Sequence, residues 1–315
     1  MGTTGSKDTV VITGAFSFTG KYATRILLER GYKVRTLTSR RVTEDEFAGR
    51  VETSPFQFDS PDKLATALEG ASALINTYWV RFPRKGVTFE TAVRNTRNLI
   101  RAAQSVGVKR IVHVSIANPS LDSPLEYYKG KAELEEAVKG SGLSFAIVRP
   151  TVIFGQEDIL INNIAWCLRK LPMFGVPGDG KYGVRPIYVE DMARLLVSCV
   201  ESDRNQIVDA IGPESYSFEG LVRMIGREIG ARVRVFHVPM IAAYLSTRVL
   251  GWAVGDVVLT WEEYKGLMAN LLAPEGPATG ETRFSEWIKL HRESVGKNYA
   301  SEVARHYARA IVRAY

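Results

Sequence analysis

The sequence predicts an α/β protein, a doubly wound parallel sheet with a smaller, discontinuous C-terminal lobe. Strand-like apolar runs alternate with helix-like stretches as far as Pro150, the rhythm that βαβ units impose. A glycine-rich turn, Thr13-Gly14-Ala15-Phe16-Ser17-Phe18-Thr19-Gly20, falls at the first strand-to-helix junction. Beyond Pro150 the alternation loosens, which marks the second lobe.

Residues 9–13 form a short apolar run stopped by Gly14 and read as a buried strand. Gly20 opens a helix in which Ala23, Ile26 and Leu27 share one face, and Gly31 closes it. Residues 33–38 and 56–59 read as the second and third strands. A helix over 62–69 ends at Gly70, and 73–77 make the fourth strand. A long helix over 88–106 is closed by Gly107 ahead of a strand over 110–115. The helix 125–139 then leads to the strand 143–149. Farther on, 172–180 is a loop by its Pro and Gly content, while 188–200 and 218–229 read as helices. Glu190 and Asp191 fall in the first turn of the former, where carboxylates suit the helix dipole. The stretch 274–282 is linker-like. The expected first domain is 1–150 plus 184–203, and the expected substrate or partner lobe is 151–183 plus 204–315.

Binding a pyrophosphate takes a sharp turn and exposed backbone N–H groups at a helix N-terminus, where the dipole favours an anion. Gly14 supplies the turn and Gly20 lets the helix approach the sheet, with Phe16, Ser17, Phe18 and Thr19 between them. Ser17 stands where a dinucleotide fingerprint usually has its middle glycine, and its hydroxyl is able to donate to a phosphate. About 20 residues past such a turn, an acidic side chain normally holds the ribose 2′-hydroxyl of NAD. This chain has Thr38-Ser39-Arg40-Arg41 there, with no carboxylate. Two guanidiniums suit a 2′-phosphate, so NADP(H) is expected ahead of NAD(H).

Further residues join this Rossmann pattern. They are Asp59 after the third strand, Asn95 within Ala92-Val93-Arg94-Asn95-Thr96, Tyr127-x-x-x-Lys131, Arg149-Pro150, and Ile187-Tyr188-Val189-Glu190-Asp191. Together they resemble the extended or atypical short-chain dehydrogenase/reductase family, which includes NAD(P)-dependent epimerases and dehydratases. The stretch Phe154-Gly155-Gln156-Glu157-Asp158-Ile159 is similar to the branch containing the nucleotide-binding accessory subunit of respiratory complex I. The resemblance runs from about Val10 to Val200. It implies Asp59 beside the adenine, Asn76 and Thr77 along the cofactor, and Pro150-Thr151-Val152 near the nicotinamide. It also implies Tyr127 as acid/base, Lys131 on the nicotinamide ribose, and a hydroxyl after the fifth strand that holds the reacting carbonyl. Ser115 is the candidate for that place, with Asn118 as the alternative donor.

Tyr127 and Lys131 are four apart on a helix, so both reach one face. An adjacent ammonium favours phenolate and pulls the tyrosine below its ordinary value of about 10, which suits proton exchange with a carbinol oxygen. Tyr128 is the frame-shifted alternative.

Composition narrows the remaining classes. Cys167 and Cys199 lie in apolar stretches without CxxC spacing, and the four histidines form no i,i+4 pair. A reducing, cytoplasmic setting is therefore expected, and no metal site. A net charge of +7 raises nucleic acid or anionic lipid as partners, but no nucleic-acid signature accompanies it and nucleic acid is not expected. Residues 1–8 lack an apolar core and do not read as a signal peptide. Residues 238–259 are the most apolar long stretch, interrupted by Arg248 and Asp256 and so unsuited to spanning a bilayer. Near the C-terminus, Val303, Tyr307, Ile311 and Ala314 recur at helical spacing beside Arg305, Arg309 and Arg313. The two segments make the C-terminal lobe a candidate for a peripheral membrane or protein contact, the alternative being that the apolar stripe docks on the chain's own body.

Two functions stay open. One is an NADP(H)-dependent oxidoreductase or epimerase acting on a carbonyl or secondary alcohol. The other is a non-catalytic NADP(H)-binding accessory, assembly or redox-sensing protein. Trp79, Phe82, Phe154, Trp166 and Tyr188 are candidate pocket residues and favour a bulky apolar small-molecule substrate.

Overall fold

Runs of Val, Ile and Leu buried on both faces form the middle strands, as a parallel sheet covered by helices requires. The computed structural model describes residues 8–38, 46–47, 49–84 and 86–307. Ser39, Arg40 and Arg41 lie outside the described residues, as do Arg309, Ile311, Arg313 and Ala314.

In chain order the elements begin with β1 (Thr9–Thr13), α1 (Phe18–Glu29), β2 (Lys33–Leu37), β3 (Val51–Ser54), α2 (Pro61–Leu68) and β4 (Ala71–Asn76). Next come α3 (Phe89–Ser105), β5 (Arg110–Val114), α4 (Glu126–Lys139), β6 (Ser144–Pro150), β7 (Ile153–Phe154) and α5 (Leu160–Lys170). They are followed by β8 (Met173–Pro177), β9 (Gly183–Val184), β10 (Ile187–Tyr188), α6 (Val189–Glu201) and β11 (Gln206–Ala210). The last described elements are β12 (Tyr216–Ser217), α7 (Phe218–Glu228), β13 (Arg234–Val238), α8 (Met240–Val254), α9 (Trp261–Met268), α10 (Phe284–His291) and α11 (Glu302–Tyr307).

The chain divides into two units, Met1–Pro150 with Val189–Ala210, and Thr151–Tyr188 with Ile211–Tyr315. In the first, seven parallel strands run in the order β11-β6-β5-β4-β1-β2-β3. Val11, Leu74, Ile111 and Ile147 face Leu64, Leu99 and Val138 of α2, α3 and α4. The alternating residues Val10, Ile12, Ile75 and Val112 are buried on the opposite face, where α1 and α6 pack together. This is the doubly wound Rossmann arrangement. Its order reverses between β1 and β4, and such a switch point opens a crevice at the carboxyl ends of the strands.

Three expectations change. The third strand is Val51–Ser54, not 56–59. Pro55 follows it, and Phe56 and Phe58 stack on each other at 4.8 Å and lean on Tyr78 instead of entering the ladder. The sheet continues past residue 203, because Gln206–Ala210 pairs in parallel with β6 and so lies with the first unit. Residues 172–180 are not all loop, since Met173–Pro177 pairs with β13. Gly175 fits there because Val238 stands 3.2 Å from where its Cβ would be.

The second unit has its own core, centred on Phe154, which sets its ring edge-on to Phe284 and Trp287 at 5.0 and 5.2 Å. Carboxylates start two of its helices, one of them buried and one half-buried. Asp158 accepts from Ile161 N at 2.7 Å, and Asp256 accepts from Glu302 N at 2.8 Å. Among the described residues, no helix is long and apolar enough to cross a membrane.

Arg110 ties the end of α6 to the sheet. Its buried guanidinium donates to Cys199 O, Arg204 O and Ser144 Oγ. Arg110→Met keeps the stem and removes the donors, leaving carbonyls buried without partners. Urea unfolding is expected to show a loss of about 3 kcal/mol, and a change under about 0.5 kcal/mol would mean the clamp is dispensable.

Candidate functional site

The chain leaves β1 through Gly14, whose φ of +77° is left-handed backbone. Gly14 N donates to Leu37 O at 3.1 Å and Ser17 N donates to Gly14 O at 2.8 Å, which closes the turn. A Cβ on Gly20 would stand 2.0 Å from Gly14 O, so only glycine fits at that position. Ser17 caps α1 by accepting from Gly20 N at 3.3 Å, and the helix starts at Phe18 rather than at Gly20. Phe18 and Thr19 hold its first two positions, whose amides no intrahelical carbonyl can reach. The Ala15 amide is tied to Thr36 Oγ1 of β2 at 3.0 Å. No acidic side chain lies in the first turn of α1. A tight turn, a capped helix N-terminus and no local carboxylate fit a dinucleotide pyrophosphate.

The carboxyl end of β4 is fixed to this turn. Thr13 Oγ1 accepts from Thr77 N at 2.7 Å and Tyr78 N at 3.0 Å, while Thr77 Oγ1 donates to Thr13 O. Asn76 Oδ1 accepts from Thr13 Oγ1 at 3.2 Å, and Asn76 Nδ2 donates to His113 Nδ1 at 3.0 Å. His113 therefore carries its proton on Nε2, a buried atom without a hydrogen-bond partner. Burial holds this ring well below the usual histidine pKa, and the charge of Lys131 adds to the effect.

Tyr127 and Lys131 come together on α4. Lys131 is 3% exposed, its Nζ donates to Val114 O at 2.8 Å and lies 4.6 Å from the centre of the Trp79 ring. Burial lowers its amine to about 7, against the pull of Glu135. Tyr127 is half-buried and meets Trp79 edge-on at 5.5 Å and Phe89 at 5.7 Å. Tyr128, the alternative, is buried.

Ser115 does not join them. Its Oγ donates to Glu135 Oε1 at 2.5 Å, and Glu135 also accepts from Arg149 Nε at 2.9 Å and Nη2 at 2.6 Å. The expected catalytic serine thus completes a buried ion pair that links β5, α4 and β6. Glu135 went unnoticed in the sequence, although its place one turn after Lys131 on the same face was the available signal. Asn118, the other donor considered, has left-handed backbone with φ of +52°.

Asp59 is exposed in a turn. Pro150 is buried and its carbonyl accepts from Ala117 N at 2.9 Å, while Val152 O accepts from Ile187 N at 2.9 Å. Of the candidate pocket residues, Phe154 is core of the second unit, and Tyr188 packs on it at 5.4 Å. Trp166 packs edge-on to Tyr299 at 5.3 Å, and Phe82 is buried.

Residues 14–203 match the sequence model of the NAD(P)H-binding family. Among curated relatives, the chain is 25% identical over 227 residues to NADH dehydrogenase (ubiquinone) 1 alpha subcomplex subunit 9, mitochondrial, of Arabidopsis thaliana. That match takes in 68% of this chain and 56% of the relative, so the chain spans little more than half the length of that protein. It is 26% identical over 242 residues to a ceramide reductase of Caulobacter vibrioides, covering 75% of each. Among solved structures, a nucleoside-diphosphate-sugar epimerase from Staphylococcus aureus superposes with a TM-score of 0.73 at 14% identity. The superposition covers 89% of this chain and 99% of the epimerase, and at that identity it speaks for the fold alone.

The buried amine of Lys131 gives a pH signature. It titrates at about 7 in the folded chain and at about 10.4 when unfolded, so the unfolded chain binds more protons between those values. Stability therefore rises with pH in that window. The thermal midpoint is expected to climb from about pH 7 to about pH 8, below the ordinary cysteine range, and Lys131→Met is expected to flatten the rise. An equal slope in the variant would assign the effect to another group.

Proposed function

The chain belongs to the NAD(P)H-binding family, and from that premise we propose an NADP(H)-dependent oxidoreductase or epimerase acting on a carbonyl or secondary alcohol. One observation carries this reading. Tyr127 and Lys131 share a face of α4, with the lysine amine anchored on the carbonyl of Val114 at the carboxyl end of β5. The cofactor, when bound, supplies the hydride chemistry. Gly14, Phe16, Ser17, Phe18, Thr19 and Gly20 cradle its pyrophosphate, and Ser39, Arg40 and Arg41 hold a 2′-phosphate. Asp59 serves the adenine, Asn76 and Thr77 line the middle, Lys131 holds the nicotinamide ribose, and Pro150 and Val152 flank the nicotinamide.

Tyr127 moves the proton. Its phenol gives a proton to the carbonyl oxygen during reduction and takes one from the carbinol during oxidation. Lys131 supports the phenolate while charged, and that support weakens as pH rises above about 7. Ser115 is engaged by Glu135, so Tyr127 acts without it. Trp79 and Phe89 beside Tyr127 favour a bulky apolar substrate, a reading that the ceramide reductase relative supports.

The engagement of Ser115 favours a second reading, a non-catalytic NADP(H)-binding accessory protein, supported by the likeness to a complex I subunit. In either reading the second unit faces a partner, either a membrane or a protein.

Tyr127→Phe separates the two. NADPH affinity is expected to stay within a few-fold of wild type while turnover of a ketone or quinone panel falls by about 10²–10⁴. Tight NADPH binding with no consumption by wild type on any of these would favour the accessory reading. Cofactor choice has its own test. Arg40→Ala is expected to weaken NADPH by about tenfold to a hundredfold and leave NADH unchanged. Equal affinity of wild type for both cofactors would remove the preference.

A further inference from the structure

Helix α8 is built inside out. Its two buried residues, Ala243 and Gly251, are small, and Tyr244 turns inward to meet Trp261 and Tyr264 at 5.2 and 6.3 Å. A Cβ on Gly251 would stand 2.6 Å from Asp256 O, so the turn that closes the helix leaves no room for a side chain there. Tyr264 of α9 reaches the inner side with a hydroxyl donating to Ala243 O at 3.3 Å. Four large apolar residues point the other way. Ile241, Leu245, Val249 and Trp252 are all exposed, Trp252 at 87%. At 100° per residue they fall within one quadrant, extended by the exposed Ala242 and Ala253.

A helix apolar on all sides is ordinarily covered on all sides, and among the described residues only one side of α8 is covered. The helix has no carboxylate and a single cation, Arg248, exposed at the margin of the stripe. The stripe presents on the order of 500 Å² of apolar surface, at the scale of the largest patches on monomers, which are often functional. A stable protein interface needs about 800 Å² per partner, so the stripe falls short for a second copy or a firm protein partner. A lipid surface sets no such threshold. At 15 residues the helix is about 22 Å long, too short to cross a bilayer and already packed along one side.

We propose that α8 lies in the plane of an anionic bilayer surface, with Ile241, Leu245, Val249 and Trp252 inserted among the lipids and Arg248 at the headgroups. Insertion to a depth of about 5–10 Å removes the stripe from water, and the net charge of +7 draws the chain to the surface. This deepens the partner reading above by committing to a membrane and to one helix.

Flotation of the full chain at physiological salt tests it, with phosphatidylcholine vesicles and with equimolar phosphatidylcholine and phosphatidylglycerol vesicles. Wild type is expected to float with both and more strongly with the anionic set. Leu245→Glu with Val249→Glu is expected to weaken binding by about tenfold or more, with NADPH affinity unchanged. Trp252→Ser changes a side chain already in solvent, so it is expected to leave the fold intact and still weaken flotation several-fold. Wild type left behind by both vesicle types would overturn the proposal. So would variants that float like wild type, although a membrane contact elsewhere would then stand. A wild-type dimer split by these substitutions would also overturn it, assigning the face to a second copy.

Discussion

The carbonyl oxygen of Gly14 occupies the place where a Cβ on residue 20 would have to sit. That close approach sets how α1 leaves β1, and much of the first unit depends on it. With the space clear, Ser17 turns back on Gly14 and caps the helix, so the positive end of α1 is aimed at the carboxyl edge of the sheet. Thr36 then locks the turn from β2 by accepting from Ala15 N and donating to Ile12 O at 2.8 Å. Thr13 does the same from β1 toward Thr77 and Tyr78. The glycine turn and the end of β4 are therefore one hydrogen-bonded piece at the switch point of the sheet, the place where doubly wound folds bind dinucleotides.

Behind that piece, buried polar groups satisfy one another in two short chains. Thr13, Asn76 and His113 form the first, and Ser115, Glu135 and Arg149 the second. A buried carboxylate is costly unless it is paired and hydrogen-bonded, and Glu135 has both a bidentate guanidinium and a hydroxyl. Lys131 stands between the chains: its charge disfavours protonation of His113, Glu135 supports the ammonium, and burial outweighs that support.

The features that local chemistry dictates were legible in the sequence. The glycine turn, the strands β1, β2, β4, β5 and β6, and the shared face of Tyr127 and Lys131 follow from residue type and spacing. What failed depended on partners far along the chain. Phe56 and Phe58 look like strand residues, but Tyr78 takes them into an aromatic cluster. The Pro and Gly content of 172–180 reads as loop, but β13 recruits part of it from sixty residues away. Phe154 looked like a pocket aromatic because it follows a strand, and Phe284 and Trp287 make it core. Ser115 has the place of a catalytic hydroxyl, and only the fold brings Glu135 and Arg149 around it. The apolar character of 238–259 is plain, whereas the outward turn of Ile241, Leu245, Val249 and Trp252 is not, because periodicity gives a face without saying which way it points.

The two functional readings divide on that serine. A site with both a serine and a tyrosine on the reacting oxygen polarises the carbonyl and delivers the proton with separate groups. Here the Ser115 hydroxyl is held at 2.5 Å by a buried carboxylate. Hydrogen bonds to charged groups are worth about 1.5–3 kcal/mol, so turning Ser115 toward a substrate costs roughly that much before it contributes anything. In the proposed enzyme, polarisation and proton delivery then both fall to Tyr127, beside an amine that titrates at about 7. A slow enzyme and a stable holder of the cofactor differ little in such a site. The difference rests on whether a substrate reaches Tyr127 past Trp79, Phe89 and Tyr128, the rings set against it.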